Sequence, residues 1–270
     1  MTGTSRGNEI HTRLRSLKAH DEVLPGVLFG RPEWVLSPSY WAALVGRQAP
    51  CPTLFSRPSS LVEEVGFCLL GGFGIKAEIN CAAHARLRKY GVYSRVPTQE
   101  EIEKLLQIPL DVLGKAMRYR FPRQRSARLA NAILRISRDD VPLDDPAALR
   151  AYLLTLDGIG PKTASWITRN WLDSDDVAII DIHVERAGRA MGLFDERHSL
   201  PRDYFEMEKQ FLALAESLRV RASELDIAIW SVMRKVAING RQKSDIGDRS
   251  DGKRRRRREL RNNFQEAEAV

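Results

Sequence analysis

A short run with two glycines and a proline, Leu156-Asp-Gly158-Ile-Gly160-Pro161-Lys162, limits what this chain can fold into more than any other stretch. Glycine takes positive φ without steric cost, so Gly158 and Gly160 suit a sharp reversal between two helices. Pro161 fits the first position of the second helix, where its missing N–H goes unmissed. The free amides at such a helix start form an anion site suited to a phosphate, and Lys162 stands beside it. Nineteen residues after Lys162, an apolar approach Ala178-Ile-Ile180 leads to Asp181 and then His183. A phosphate cradle, an amine and a carboxylate at this spacing point to chemistry on a nucleic-acid backbone. Each residue also has a plainer reading: Lys162 as a solvent-facing helix lysine that pairs with a phosphate, Asp181 as a helix N-cap, His183 as a core histidine.

These residues resemble the helix-hairpin-helix–Gly/Pro…Asp superfamily of DNA glycosylases. The pattern there is L-x-G-[IV]-G-x-K-x-A, followed about twenty residues on by an apolar pair and D-x-H. Gly160-Pro-Lys-Thr-Ala-Ser-Trp-Ile-Thr-Arg-Asn170 and Ala178-Ile-Ile-Asp-Ile-His183 are similar to the second-type and archaeal 8-oxoguanine DNA glycosylases. Tyr119-Arg-Phe-Pro-Arg-Gln-Arg-Ser-Ala-Arg128 is similar to the arginine-rich turn of that family, and Glu224-Leu-Asp-Ile-Ala-Ile-Trp230 to its closing helix. The resemblance spans about 60–240 and implies an all-α, two-lobed fold with the active-site cleft between helical lobes. It implies base excision, with Lys162 as the amine that attacks C1′ and gives AP lyase activity, and Asp181 as the carboxylate that stabilises the developing positive charge. Gly158, Gly160, Thr163, His183, Arg123 and Arg125 are the expected DNA contacts. Phe73 and Lys76 are the expected residues of the base pocket.

Charge agrees with a polyanionic partner. The net charge is +8 and the pI about 9.6, which favours double-stranded DNA. Residues 241–270 hold ten Lys/Arg against six Asp/Glu, which leaves half of the excess for 1–240. In that body the basic groups gather at Arg118, Arg120, Arg123, Arg125 and Arg128. The run from Lys253 to Arg258 reads either as a phosphate-binding arm or as a solvated tail. Cys51, Cys68 and Cys81 lack metal-type spacing, and the cysteine cluster of endonuclease III-like relatives is missing. Free, mostly buried thiols, no metal and no cofactor are expected. No run of 18 apolar residues occurs and residues 1–18 lack an apolar signal core, so a monomer working in the cytoplasm at the nucleoid, without a membrane partner, is the expectation.

Three segments follow from composition: an irregular, proline-rich extension over 1–60, a helical core over 61–240, and a basic tail over 241–270. Helical periodicity or end signals mark Tyr40–Arg47, Ser60–Leu70, Ile75–Tyr90, Leu110–Tyr119, Arg125–Ser137, Asp145–Leu156, Pro161–Leu172, His183–Met191, Pro201–Leu218 and Ala222–Val236. Thr98-Gln-Glu-Glu101 reads as a capping box that opens a helix over 98–107.

One stretch departs from the family's pattern. Where relatives carry polar and bulky residues, this chain has Gly71-Gly72-Phe73-Gly74-Ile75-Lys76. The bland reading is a tight turn. The functional reading is a roomier base pocket, which brings a bulky glucosylated hydroxymethylcytosine of phage DNA, and antiviral defence, into competition with the oxidised purine. A DNA-binding hairpin without catalysis is the remaining alternative.

Overall fold

Helix ends in this chain are set largely by local chemistry. Thr98 Oγ1 accepts the Glu101 amide at 3.2 Å while the Glu101 carboxylate accepts the Thr98 amide at 2.8 Å. Both halves of the expected capping box are therefore present. Asp145 and Ser60 cap their helices through their side-chain oxygens, and prolines stand at the starts of four helices at 38, 122, 146 and 161.

The computed structural model describes residues 17–45, 47, 60–72 and 74–236. In chain order these form β1 (Glu22–Leu24), β2 (Val27–Leu28), α1 (Pro38–Val45), α2 (Leu61–Leu70), α3 (Ala77–Lys89), a 3-10 turn (Val92–Ser94), α4 (Gln99–Gln107), β3 (Leu110–Val112), β4 (Lys115–Met117), α5 (Pro122–Arg138), α6 (Pro146–Leu154), α7 (Pro161–Leu172), α8 (Ile182–Ala190), α9 (Tyr204–Ser217) and a helix over 222–236, α10. The all-α expectation holds, with two small antiparallel hairpins added. Phe73, the basic run after 252 and Cys51 lie outside the described residues.

One expected helix is a hairpin instead. Over 110–117 the pairs are Leu110 with Met117, Asp111 with Ala116 and Val112 with Lys115. Leu113 and Gly114 both take positive φ, 53° and 76°. That two-residue turn has the twist a hairpin needs, and Asp111 Oδ1 accepts the Gly114 amide at 2.9 Å. A helix would have to place Gly114 in its interior, which costs roughly 1 kcal/mol. Residues 22–24, within the extension expected to be irregular, form β1 for a similar reason: Gly26 has φ 77° and closes a tight turn onto β2.

Two hydrophobic cores divide the helices into lobes. The first gathers α2 to α7 around Leu69, Leu87, Ile102, Leu129, Leu149 and Ile167. The second joins Val27, Phe29 and Trp41 of the N-terminal part to Ala178, Ile180, Phe211, Leu225 and Ile229. The chain leaves the first core at the end of α7 and enters the second along the extended segment 177–180. Among the described residues no helix is long and apolar enough to cross a membrane.

Candidate active site

The helix pair of the glycine turn is α6 and α7. Gly158 has φ 86°, so it makes the left-handed reversal. Gly160 does not share that role, contrary to expectation. It is the N-cap of α7 with φ −98° and ψ 178°, an extended geometry open to most residues, and a Cβ there would meet nothing within 4 Å. Pro161 is the first residue of α7, as its ring favours. A Cβ at Gly158 would lie 2.8 Å from Arg128 Cδ and 3.2 Å from Leu69 Cδ2. Gly158→Ala is therefore expected to destabilise the fold by about 1–2 kcal/mol through the left-handed backbone alone. It should also displace Arg128 from Asp157, which accepts its Nε at 3.2 Å. Thermal melts, compared with those of Gly160→Ala, check this.

Lys162 is exposed in the first turn of α7, with Thr163 half-buried beside it. Cys68 of α2 is near enough to feel the Lys162 charge. Burial pushes the Cys68 thiol well up, Glu64 pushes it the same way, and Lys162 opposes them. Trp166, one turn after Lys162 and thus on the same helix face, donates from Nε1 to Glu64 Oε1 at 3.0 Å, and Asn170 donates to the same oxygen at 3.3 Å. Burial raises the Glu64 carboxyl, while Asn170, Trp166 and Arg169 pull it down. None of Glu64, Trp166 or Asn170 had been singled out from the sequence, although Trp166 and Asn170 stand within the motif.

Asp181 caps α8. Its Oδ1 accepts the amides of His183 at 2.8 Å and Val184 at 2.9 Å, so the cap fixes the rotamer and leaves Oδ2 outside both bonds. His183 is half-buried, and its Nδ1 is buried without a hydrogen-bond partner among the described residues. The segment that carries Asp181 is held by side chains instead of a neighbouring strand. Tyr204 donates to the Ala178 carbonyl at 2.8 Å and accepts the Ile180 amide at 3.3 Å. Glu208 Oε1 accepts the Ala178 amide at 3.0 Å and Ser165 Oγ of α7 at 2.9 Å. One carboxylate oxygen thus joins a residue three positions after Lys162 to one three positions before Asp181. Asp226 accepts the Arg169 guanidinium and is steadied by the nearby Ile179 amide. Burial pushes its carboxyl up to about 7 against the pull of Arg169, and Asp181 adds to the rise.

The arginine-rich stretch packs around the C-terminus of α2, whose last carbonyls need donors. Tyr119 OH donates to the Leu70 carbonyl at 2.6 Å and Arg125 Nη1 to that of Leu69 at 2.9 Å. Arg125 is therefore partly structural, whereas Arg123 is exposed. An open depression of about 750 Å³ at the start of α5 is lined by Arg120, Phe121, Arg123 and Gln124 among others; neither Lys162 nor Asp181 lines it. Lys76 is exposed at the N-cap of α3 and makes no capping bond with its side chain.

The glycine stretch is not an empty wall. A Cβ at Gly71 would come 2.8 Å from Asn80 Nδ2, and one at Gly74 would come 3.0 Å from Arg120 Nη1. The glycines admit close neighbours, so the expectation of a roomier pocket loses its support. Cys81 is exposed and corrects the expectation of mostly buried thiols. Among the described residues no group of His, Cys, Asp and Glu could hold a metal.

Known proteins resemble this chain over its helical core. The 8-oxoguanine DNA glycosylase/AP lyase of Methanocaldococcus jannaschii is 30% identical over 180 residues, which cover 62% of this chain and 77% of that one. The enzyme of the same description from Aquifex aeolicus is 26% identical over 187 residues, 66% of this chain and 77% of that one. Among solved structures, the M. jannaschii 8-oxoguanine glycosylase/lyase in complex with a 15mer DNA containing 8-oxoguanine is 29% identical, with 63% and 78% of the two chains covered and a TM-score of 0.49. The helix-hairpin-helix family model described as 8-oxoguanine DNA glycosylase matches residues 55–220, and the chain belongs to that family.

Proposed function

We propose that this protein excises 8-oxoguanine from double-stranded DNA, with Lys162 as nucleophile and Asp181 as electrostatic partner. The observation that carries this is the shared acceptor Glu208 Oε1, which ties the helix of Lys162 to the segment of Asp181. The target base must first swing out of the stack, at a cost of a few kcal/mol. The Lys162 amine then attacks C1′, the base leaves with the glycosidic electron pair, and the Asp181 carboxylate stabilises the positive charge at the sugar. The amine loses a proton and the C1′–O4′ bond opens, O4′ taking the electron pair and a proton, so the aminal becomes an imine; loss of a C2′ proton from that imine then expels the 3′ phosphate by β-elimination, which nicks the strand. Lys162 is exposed in the free protein, so its desolvation falls to the DNA that covers it.

Phosphate contacts are assigned to the amides around Gly158, Gly160 and Thr163, to Arg123 and Arg125, and to His183. With Nδ1 of His183 buried, Nε2 is the ring nitrogen left for a phosphate. Lys76 is the described candidate for the base pocket. The protein acts as a monomer in this reading, because its exposed large apolar side chains are scattered over many elements. Its substrate puts it at the nucleoid.

The test is a pair of duplexes, one with 8-oxoguanine opposite cytosine and one with glucosylated hydroxymethylcytosine. Release of 8-oxoguanine, followed by a nick, is expected. An intact 8-oxoguanine strand beside a cleaved modified-cytosine strand would overturn the substrate. No release from either would leave a DNA-binding hairpin without catalysis.

A further inference from the structure

Lys162 and Asp181 stand on different elements, so their mutual geometry depends on whatever locks α7 to the segment 177–181. Two buried carboxylates do this in the same way. Glu208 of α9 is 3% exposed and Asp226 of α10 is 5% exposed. Glu208 Oε1 takes Ser165 Oγ from α7 and the Ala178 amide, while its Oε2 takes Arg150 of α6. Asp226 takes Arg169 from α7 and stands close enough to the Ile179 amide for that amide to stabilise its charge. Ser165 and Arg169 are one turn apart on one face of α7, three and seven residues after Lys162. Ala178 and Ile179 are consecutive, three and two residues before Asp181. Each carboxylate therefore bridges the same two elements, one turn further along.

A buried carboxylate is a costly way to hold a fold. Removal from water costs several kcal/mol per ion, and apolar side chains packed between helices would avoid it. What apolar side chains cannot do is fix the register of two consecutive amides against named positions on a helix. Hydrogen bonds of defined length do that.

We propose that Glu208 and Asp226 are positioning residues, which set the distance and orientation of the Lys162 amine against the Asp181 carboxylate without touching DNA. The proposal rests on the reading of Lys162 and Asp181 as the reacting pair. It accounts for the placement of Ser165 and Arg169 on the helix that carries the amine. It also accounts for the extended backbone before Asp181, which has donors and acceptors matched by side chains of two helices instead of by a strand.

The experiment uses the full chain and abasic-site duplex with borohydride, a reaction that does not depend on the excised base. Two variants are compared with wild type at saturating DNA: Asp226→Asn, which keeps an acceptor but drops the charge that holds Arg169, and Ser165→Ala, which cuts the link from α7 to Glu208. Misplacement by about 1 Å costs on the order of 100-fold in rate, so trapping rates 10- to 100-fold below wild type are expected, with DNA dissociation constants within about twofold. A purely structural role would instead lower the melting temperature and leave the trapping rate at low temperature unchanged. Wild-type trapping rates in folded Asp226→Asn and in Ser165→Ala overturn the proposal. If Asp226→Asn does not fold, Ser165→Ala decides alone, since it removes one hydroxyl from a buried site. Failure of the wild-type chain to be trapped at all overturns the reading of the reacting pair, and is thereby distinct from failure of the positioning role.

Discussion

Asp181→Asn is expected to slow single-turnover base release by about 100- to 1000-fold, the usual effect of removing one group aimed at charge that develops in a transition state. The substitution is clean for a structural reason. Asp181 Oδ1 caps α8 by accepting the His183 and Val184 amides, and asparagine caps about as well as aspartate. The cap, the start of α8 and the course of the backbone should survive, while the carboxylate charge is lost. Duplex affinity should stay within a few-fold of wild type, and the melting temperature should change little. Quench-flow release on an 8-oxoguanine duplex, with binding measured on the same duplex, separates the two effects. Near-wild-type release would mean that Asp181 serves as a cap and nothing more.

Lys162→Gln is expected to abolish borohydride trapping and strand nicking, because no imine can form at that position. Glutamine has nearly the helix propensity of lysine, and residue 162 is exposed, so stability should move by no more than about 0.5 kcal/mol. Removal of a cation from a helix N-terminus is, if anything, favourable. Base release should fall as well, with a residue of activity if water takes the place of the amine. Covalent complex that persists in the variant would assign the nucleophile to another amine, the N-terminus or Lys76.

Local rules accounted for much of this protein. The reversal at Gly158, the proline at the start of α7, the capping box at Thr98 and the cap at Asp181 each follow from a few neighbouring residues, and the periodic apolar positions located most of the helices within a few residues. The 110–117 hairpin was misread because Leu110, Val112 and Met117 suit a helix face and a strand face about equally over so short a run. The Leu113-Gly114 turn then decides between them. Gly160 was misread because a glycine before a proline permits positive φ without requiring it. The glycine stretch at 71–74 suggested empty space, since a sequence shows the missing side chains but not the Asn80 and Arg120 side chains that pack close to their backbone.

What the sequence determined by itself is therefore the reversal at Gly158, the helix starts at Pro161 and Asp181 and the family they belong to, because each of these is encoded within about 30 residues by backbone preference and spacing. What only the tertiary structure decided is how the amine and the acid are held together. Glu208 lies 43 residues from Ser165 and 30 from Ala178, and Asp226 lies 57 from Arg169. In the sequence these carboxylates look like any charged residue on an amphipathic helix. Their partners are fixed only when two cores close against each other and a buried anion must find every donor it needs from whatever elements the packing brings to it.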